Sequence, residues 1–156
     1  MKIFRPLIVF LAALVSLSIT MGILYPSLGS ILSYSSTAYL LVCFGTAAHF
    51  LEEWYMKAWE VEAEIRKSDD ERSGKPFLVA FSHVLVLLSF LFYFPIAAGL
   101  PWALIYGLGV SFNGILNGVV HLAILVKIRR NTGVVSGIFL LITGMLVWTS
   151  IWYPIF

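Results

Sequence analysis

Five apolar runs, each about as long as a membrane-crossing helix, constrain the fold of this chain more than any other feature. They cover residues 7–24, 37–56, 77–98, 102–126 and 134–153. A helix needs about 20 predominantly apolar residues to cross the hydrocarbon core of a bilayer. Hydrophobic residues make up 60% of the chain and charged residues 12%, against about half and about a quarter in soluble domains. The sequence therefore predicts an all-α membrane protein, a bundle of five transmembrane helices forming a single domain over residues 1–156.

The basic residues predict how this bundle is oriented. All 10 lie before the first run, between the second and third, or between the fourth and fifth. Because basic loops stay on the cytoplasmic side, the N-terminus and the charged loop 57–76 are expected in the cytoplasm and the C-terminus outside. The first run is long for a secretory signal, and no small-x-small cleavage site follows it, so we interpret it as a retained helix. The predicted location is a cell membrane of the bacterial inner-membrane type, crossed several times.

Ionisable side chains inside the apolar runs mark a candidate site. Such groups cost about 2.5–3.5 kcal/mol at the centre of a membrane helix and persist where they are paired, bind a metal or face a wet cavity. The three histidines, His49, His83 and His121, lie in three different runs. Counted from the nearest lysine at 1.5 Å per residue, their depths are about 12, about 12 and about 9 Å. The sequence therefore predicts that three helices deliver a histidine to one layer of the inner leaflet.

Helical spacing adds carboxylates and an amide to this layer. Glu52 and Glu53 follow His49 by three and four residues, so all three side chains project near one helix face. Asn117 precedes His121 by four residues, which places both on one face of an otherwise apolar helix. Such a polar stripe is expected to face the interior of the bundle.

Imidazole and carboxylate groups are good ligands for zinc, iron or manganese, and facing helices build metal sites from them in soluble bundles. The candidate metal ligands are His49, Glu52, Glu53, His83 and His121. The candidate catalytic residues are Glu52, Glu53 and Asn117. One glutamate would be a ligand and the other a general base acting on a water that the metal activates, and the sequence leaves open which is which. Asn117 would orient a ligand or the substrate.

The glycines and the single cysteine also indicate a closely packed helix bundle. Two small-xxx-small pairs, Gly114 with Gly118 and Gly133 with Gly137, predict close approach of helices. The single cysteine, Cys43, excludes an internal disulfide and a thiolate cluster for metal, and we interpret it as a packing residue.

The polar residues also resemble a known family. The pattern His49-x-x-Glu52-Glu53 in an early helix, followed by Asn117-x-x-x-His121 in a later one, resembles the HXXEE-domain family of small integral membrane proteins. The basic loop and the segment Thr132-Gly-Val-Val-Ser-Gly that follows it are also similar to the family. Members often have Pro-Gly at the start of this segment, where this chain has Thr132-Gly. The resemblance spans about residues 40–150 and implies no reaction, because the family has no established one. The site residues that it implies are His49, Glu52, Glu53, Asn117 and His121.

Four functional interpretations follow from these residues. The first is an intramembrane metal-dependent enzyme, a hydrolase or oxidoreductase, whose substrate is a lipid or another hydrophobic molecule. The second is a metal-free acid–base isomerase or a protein that binds a hydrophobic ligand. The third is a transporter, proton pathway or accessory subunit, and the fourth is a hydrogen-bonded network that only fixes helix packing. The expected partners are the bilayer and a hydrophobic small molecule, with no nucleic acid; a homodimer stays open.

Overall fold

The computed structural model describes residues 35–66 and 71–151, together with Ser16 and Thr20, which are helical and exposed. The rest of the predicted first helix, 7–24, lies outside the described residues. Within the described part the chain is all-α, with five helices and no strand. They are α1 Ser36–Tyr55, α2 Ala58–Arg66, α3 Glu71–Ala97, α4 Pro101–Ile128 and α5 Val134–Ser150.

Helix α1 begins and ends with recognisable caps. Ser35 is the N-cap, and its hydroxyl accepts a hydrogen bond from the backbone N–H of Ala38 at 3.2 Å. At the other end Lys57 adopts a left-handed conformation with φ of 51°, and this ends the helix after Tyr55. The chain then turns into α2, so the predicted charged connection 57–76 contains a short helix.

Helix α3 begins at Glu71, six residues before the predicted start of the third apolar run. Pro76 therefore lies within its second turn, where the missing N–H removes a single backbone hydrogen bond. The link to α4 is tight, as predicted: Gly99 has φ of 70°, and Pro101 occupies the first position of α4, where its missing N–H is harmless.

The two last helices form a closely packed antiparallel hairpin. Arg129 ends α4 in a left-handed conformation with φ of 60°, and Gly133, with φ of 119°, precedes α5. A Cβ on Gly118 would lie 2.7 Å from the Cβ of Leu141, so only glycine allows α4 and α5 to approach this closely. The backbone of Gly137 faces Gly118 at the same crossing. This confirms the packing role predicted for these two glycines.

Four of the helices enclose a common core. Helix α1 packs against α5 and α3, and α4 packs against the same two helices, so α1 and α4 face each other across the core. Buried residues from these helices include Tyr39, Val42, Tyr106 and Leu140. Cys43 is also buried in this core, as predicted for a packing residue. Side chains from α1 and α4 can therefore meet beside the N-terminus of α5.

Among the described helices, α4 alone is both long and apolar enough to cross a membrane. Residues Ser82–Ala97 of α3 and the whole of α5 are apolar but shorter. The five-span bundle and its orientation stay predictions.

Candidate functional site

Helix α1 presents a histidine and a carboxylate, one turn apart, to the interior of the protein. His49 is fully buried, and Glu53 is 4% exposed. The Nε2 atom of His49 lies 3.3 Å from Oε1 of Glu53. The i, i+4 spacing explains this proximity, because residues four apart on a helix lie one above the other.

Helix α4 adds His121, which is also buried, to the same point. Its Nε2 lies 3.1 Å from Oε1 of Glu53. The rings of His49 and His121 meet edge to face, with centroids 4.7 Å apart and an interplanar angle of 80°. One side-chain ligand atom from each of His49, Glu53 and His121 lies within 4.8 Å of the other two. We call these three residues the triad.

The second ring nitrogen of each histidine contacts a hydroxyl group from the start of α5 or the loop before it. Nδ1 of His49 lies 2.9 Å from Oγ of Ser136. Nδ1 of His121 lies 2.8 Å from Oγ1 of Thr132. Both rings are therefore held at Nδ1, with Nε2 directed at Glu53. Histidines that bind metals are commonly held by such a partner on the other nitrogen.

Glu52 lies beside the triad but faces the N-terminus of α5. Its carboxylate accepts hydrogen bonds from the backbone N–H of Ser136 at 2.8 Å and of Val135 at 3.3 Å. The hydroxyl of Ser136 also donates to it. A helix N-terminus presents unpaired N–H groups and a partial positive charge, which favour a carboxylate there. Glu52 thus joins α1 to α5 and contacts His49 through Ser136.

Gly133 closes the triad on the side of the α4–α5 loop. A Cβ at this position would lie 3.1 Å from Cε1 of His49, 3.3 Å from Cγ of Glu53 and 3.4 Å from Cε1 of His121. Its φ of 119° is also one that other residues rarely adopt. The sequence assigned Gly133 to helix packing; the structure places it against the site instead. Asn131 supports the turn, because its Oδ1 accepts from the N–H groups of Gly133 and Val134.

Two polar atoms of the triad are buried without a hydrogen-bond partner in the described part of the chain. They are Nε2 of His49 and Oε2 of Glu53. An unsatisfied buried polar group costs about 1–3 kcal/mol, and more when the group is charged. Two imidazoles and one carboxylate are a donor set that suits zinc or iron. The triad residues therefore fit a divalent metal ion, which would satisfy both atoms.

The structure separates the predicted site residues into three groups. His49, Glu53 and His121 come together, and Glu52 adjoins them through Ser136. Asn117 lies one turn before His121 and is half-buried, with no side-chain hydrogen bond to another described residue. His83 does not join the others. It is exposed on α3, and its Nδ1 lies 2.6 Å from the carbonyl oxygen of Val79 in the same helix.

Sequence reasoning missed Thr132 and Ser136 as site residues. Both belong to the segment Thr132-Gly-Val-Val-Ser-Gly, which resembles the corresponding segment of the family and contains none of the predicted metal ligands. Two hydroxyl side chains within four residues at the predicted start of a helix are a signal, because short polar side chains there commonly form hydrogen bonds with nearby groups. Which histidine each hydroxyl meets depends on the packing of three helices and could not be read from spacing.

His83 lines a separate cavity of about 590 Å³ between α1 and α3. Its walls are almost entirely apolar, with Ser82 as the other polar residue. Ser82 donates its hydroxyl to the carbonyl of Val79, in its own helix. On α1 the cavity is lined by Ala47, Phe50, Leu51 and Trp54, which lie on a different face from His49 and Glu53. The cavity and the triad are therefore distinct.

Comparison with known proteins agrees with the motif at the centre of this site. No curated protein and no solved structure matches the chain. Residues 40–149, which include the triad, Glu52 and the α4–α5 loop, match the family described as "Protein of unknown function with HXXEE motif". The motif corresponds to His49, Glu52 and Glu53. Because the matched residues make up more than half of the chain, the chain belongs to this HXXEE family.

Proposed function

We propose that this protein is a membrane-embedded, metal-dependent enzyme whose substrate is a lipid or another hydrophobic molecule. The observation that carries the proposal is a pair of buried triad atoms, Nε2 of His49 and Oε2 of Glu53, which have no hydrogen-bond partner among the described residues. A divalent ion between the two imidazoles and the carboxylate would give both atoms a partner.

The distribution of polarity supports the membrane part of the proposal. Large apolar side chains cover the outside of α1, α3, α4 and α5, and many are more than half exposed; examples are Phe44, Leu51, Leu87, Phe94 and Val126. Buried polar side chains, by contrast, collect in the interior. Soluble monomers rarely expose apolar patches of more than a few hundred Å². A bilayer is the solvent that suits this surface, and several membrane crossings with the basic loops in the cytoplasm would follow.

The number of ligands favours a catalytic site over a structural one. Structural zinc sites are closed by four protein ligands, whereas catalytic sites use three and leave a position open. The triad supplies three ligand groups among the described residues. A metal held there would act as a Lewis acid, polarising a carbonyl or phosphoryl oxygen of the substrate. Zinc, iron and manganese each remain compatible with these ligands.

We assign separate roles to the other predicted site residues. Glu53 is the carboxylate ligand, because both histidines lie within 3.3 Å of its Oε1. Asn117, half-buried and without a side-chain hydrogen bond in the described part, is available to orient a substrate. His83 has no role at the metal, because it lies in the cavity between α1 and α3.

Elemental analysis of detergent-purified protein tests the proposal. Wild-type protein should contain about one equivalent of zinc, iron or manganese, because the triad is one group of ligands and holds one ion. The double variant His49→Ala/His121→Ala should contain none. His83→Ala is the matched control, since it removes a histidine outside the triad, and it should keep the full metal content. Wild-type protein that stays metal-free after incubation with each of these metals would overturn the proposal.

One observation favours a second function, metal-free acid–base chemistry. The Nε2 of His121 lies within hydrogen-bond distance of Glu53, at 3.1 Å, so a proton can occupy the space between them. A buried imidazole–carboxylate pair of this kind moves protons in many enzymes. Metal-free wild-type protein that still converts or binds a hydrophobic ligand, and loses this property in Glu53→Gln, would support it.

A further inference from the structure

We infer that Glu52 is a positioning residue that acts through Ser136. It fixes the tautomer of His49 so that the lone pair of Nε2 points toward Glu53, where the metal would bind. The inference deepens the proposed function and rests on it for the role of the metal. It assigns Glu52, one of the two adjacent glutamates, to the orientation of a ligand and not to the metal itself.

The hydrogen-bond capacity of Ser136 carries the argument. A serine hydroxyl has one proton to donate and can accept from other donors. Glu52 accepts through both carboxylate oxygens, from Val135 N–H at one and from Ser136 N–H at the other. The Ser136 hydroxyl proton also goes to Glu52. Ser136 Oγ therefore has no proton left for His49.

The contact between His49 and Ser136 then has a single consistent direction. Nδ1 of His49 lies 2.9 Å from Oγ of Ser136, so Nδ1 must be the donor. A neutral imidazole protonated at Nδ1 carries its lone pair on Nε2. That nitrogen lies 3.3 Å from Oε1 of Glu53, with no hydrogen bond between them. Two acceptor atoms facing each other repel, unless a cation lies between them.

His121 lacks this constraint, and the contrast isolates the effect of Glu52. Its Nδ1 lies 2.8 Å from the hydroxyl of Thr132. A threonine hydroxyl can donate or accept, so it is compatible with either tautomer. His121 can therefore carry its proton on Nε2, facing Glu53, when no metal is bound. The tautomer of His49 therefore suits a metal before one binds, whereas His121 can change its tautomer when a metal binds.

Nitrogen NMR of the histidine side chains tests the tautomer without any metal. The chain has 3 histidines, so a sample labelled with ¹⁵N-histidine gives few signals to assign. In metal-free wild-type protein we expect His49 protonated at Nδ1. Ser136→Ala should change this to the Nε2 form or to a mixture, and should leave the signals of His121 in place. Ser136→Thr, which keeps the hydroxyl, should restore the wild-type pattern.

Zinc titration of the same variants gives a second measurement. Removing a group that orients a metal ligand costs about 10–100-fold in metal affinity. We expect a loss of that size in Ser136→Ala, with unchanged stoichiometry and recovery in Ser136→Thr. Ser82→Ala is the matched control: it deletes a serine hydroxyl whose hydrogen bond stays within its own helix.

The two measurements separate this inference from the proposed function. If wild-type His49 is protonated at Nε2, the inference fails even when zinc binds with one equivalent. If wild-type protein binds no metal but shows the Nδ1 tautomer and loses it in Ser136→Ala, the proposed function fails and the positioning role stands. The wild-type spectrum alone can overturn the inference. The test therefore still works if the Ser136→Ala variant folds poorly.

Discussion

The two faces of α1 differ in what they offer to a polar side chain. On the face toward α4 and α5, His49 and Glu53 meet His121, and hydroxyl groups from the loop before α5 and from its first turn contact Nδ1 of each histidine. On the face toward α3, apolar side chains line a cavity, and the hydrogen bond that His83 makes in the described part of the chain is to its own helix. The triad is thus built from two helices, with hydroxyl partners from a third segment, whereas His83 contacts a carbonyl oxygen of its own helix.

The comparison teaches that depth in the bundle does not by itself assign a histidine to a site. His49, His83 and His121 lie at similar distances along their helices from the nearest lysine. Two of them face a segment that supplies hydroxyl partners, and the third faces apolar residues. Partners from other elements therefore decide which histidine can hold an ion.

The largest effect is expected from Gly133→Ala. The new Cβ would meet all three triad side chains at 3.1–3.4 Å, and the φ of 119° would be strained. A residue forced into such a backbone conformation costs about 1–3 kcal/mol. We expect lower thermal stability and a fall in zinc content from about one equivalent to near zero, because displaced ligands no longer share an ion.

Gly99→Ala is the counterpart of this variant. Gly99 also has a positive φ, of 70°, but a Cβ there would meet nothing within 4 Å. The Gly99→Ala variant should lose about 1–2 kcal/mol of stability and keep its zinc. Calorimetry and elemental analysis of both variants make the comparison, and equal zinc content in the two would show that Gly133 does not border the site.

Much of the fold could be predicted from the sequence, because it depends on local patterns. The last four apolar runs correspond to α1, α3, α4 and α5, and Gly99 and Pro101 mark a turn between two of them. The start of α3 was misjudged, since a proline near a helix start does not prevent the helix from extending past it.

The candidate site could be predicted only in part. The spacing of His49 and Glu53 on one helix is local, and the polar stripe of α4 predicted that His121 faces the interior, where the structure places it. The exposure of His83 and the contacts of Thr132 and Ser136 depend on which helix faces meet. That choice is made by packing across the whole core, for example by the close approach of Gly118 to α5, and no spacing rule gives it.

A smaller effect is expected from Gly118→Ala, which should separate α4 from α5. The added Cβ would lie 2.7 Å from the Cβ of Leu141, closer than such atoms come in proteins. Overpacking of this kind costs about 1–3 kcal/mol. Because His121 lies one turn further along α4, zinc affinity should fall as well. Thermal unfolding in detergent and zinc titration measure the two effects.

Gly114→Ala provides the control on the same helix. Its Cβ would lie 3.5 Å from the side chain of Leu140, an ordinary contact. Since alanine favours a helix over glycine by up to about 1 kcal/mol, stability should be unchanged or slightly higher. A loss in Gly114→Ala as large as that in Gly118→Ala would mean that the hairpin does not have its close approach at Gly118.

Thr132→Val should have a moderate effect that is confined to the site. Valine keeps the shape of threonine but leaves Nδ1 of His121 without its hydroxyl partner at 2.8 Å. Loss of such a partner weakens metal binding about 10–100-fold. Thr132→Ser keeps the hydroxyl and should bind zinc like the wild type. Isothermal titration with zinc distinguishes the two, and equal affinities would show that the Thr132 hydroxyl is dispensable.

The smallest effect is expected at the ion pair between Glu64 of α2 and Arg130 of the α4–α5 loop. The charged atoms lie 2.7 Å apart, but the side chains are 62% and 51% exposed. Exposed ion pairs contribute about 0.2–1 kcal/mol, and salt screens them. Glu64→Gln should therefore lower stability by less than about 1 kcal/mol, with the difference vanishing in about 1 M salt, where the Debye length is about 3 Å. Zinc content should not change, although Arg130 lies two residues from Thr132, because the pair contacts no triad atom. A loss of zinc in Glu64→Gln would mean that this exposed contact holds the loop in place over the triad. Metal binding would then depend on exposed ion pairs as well as on buried hydrogen-bond partners.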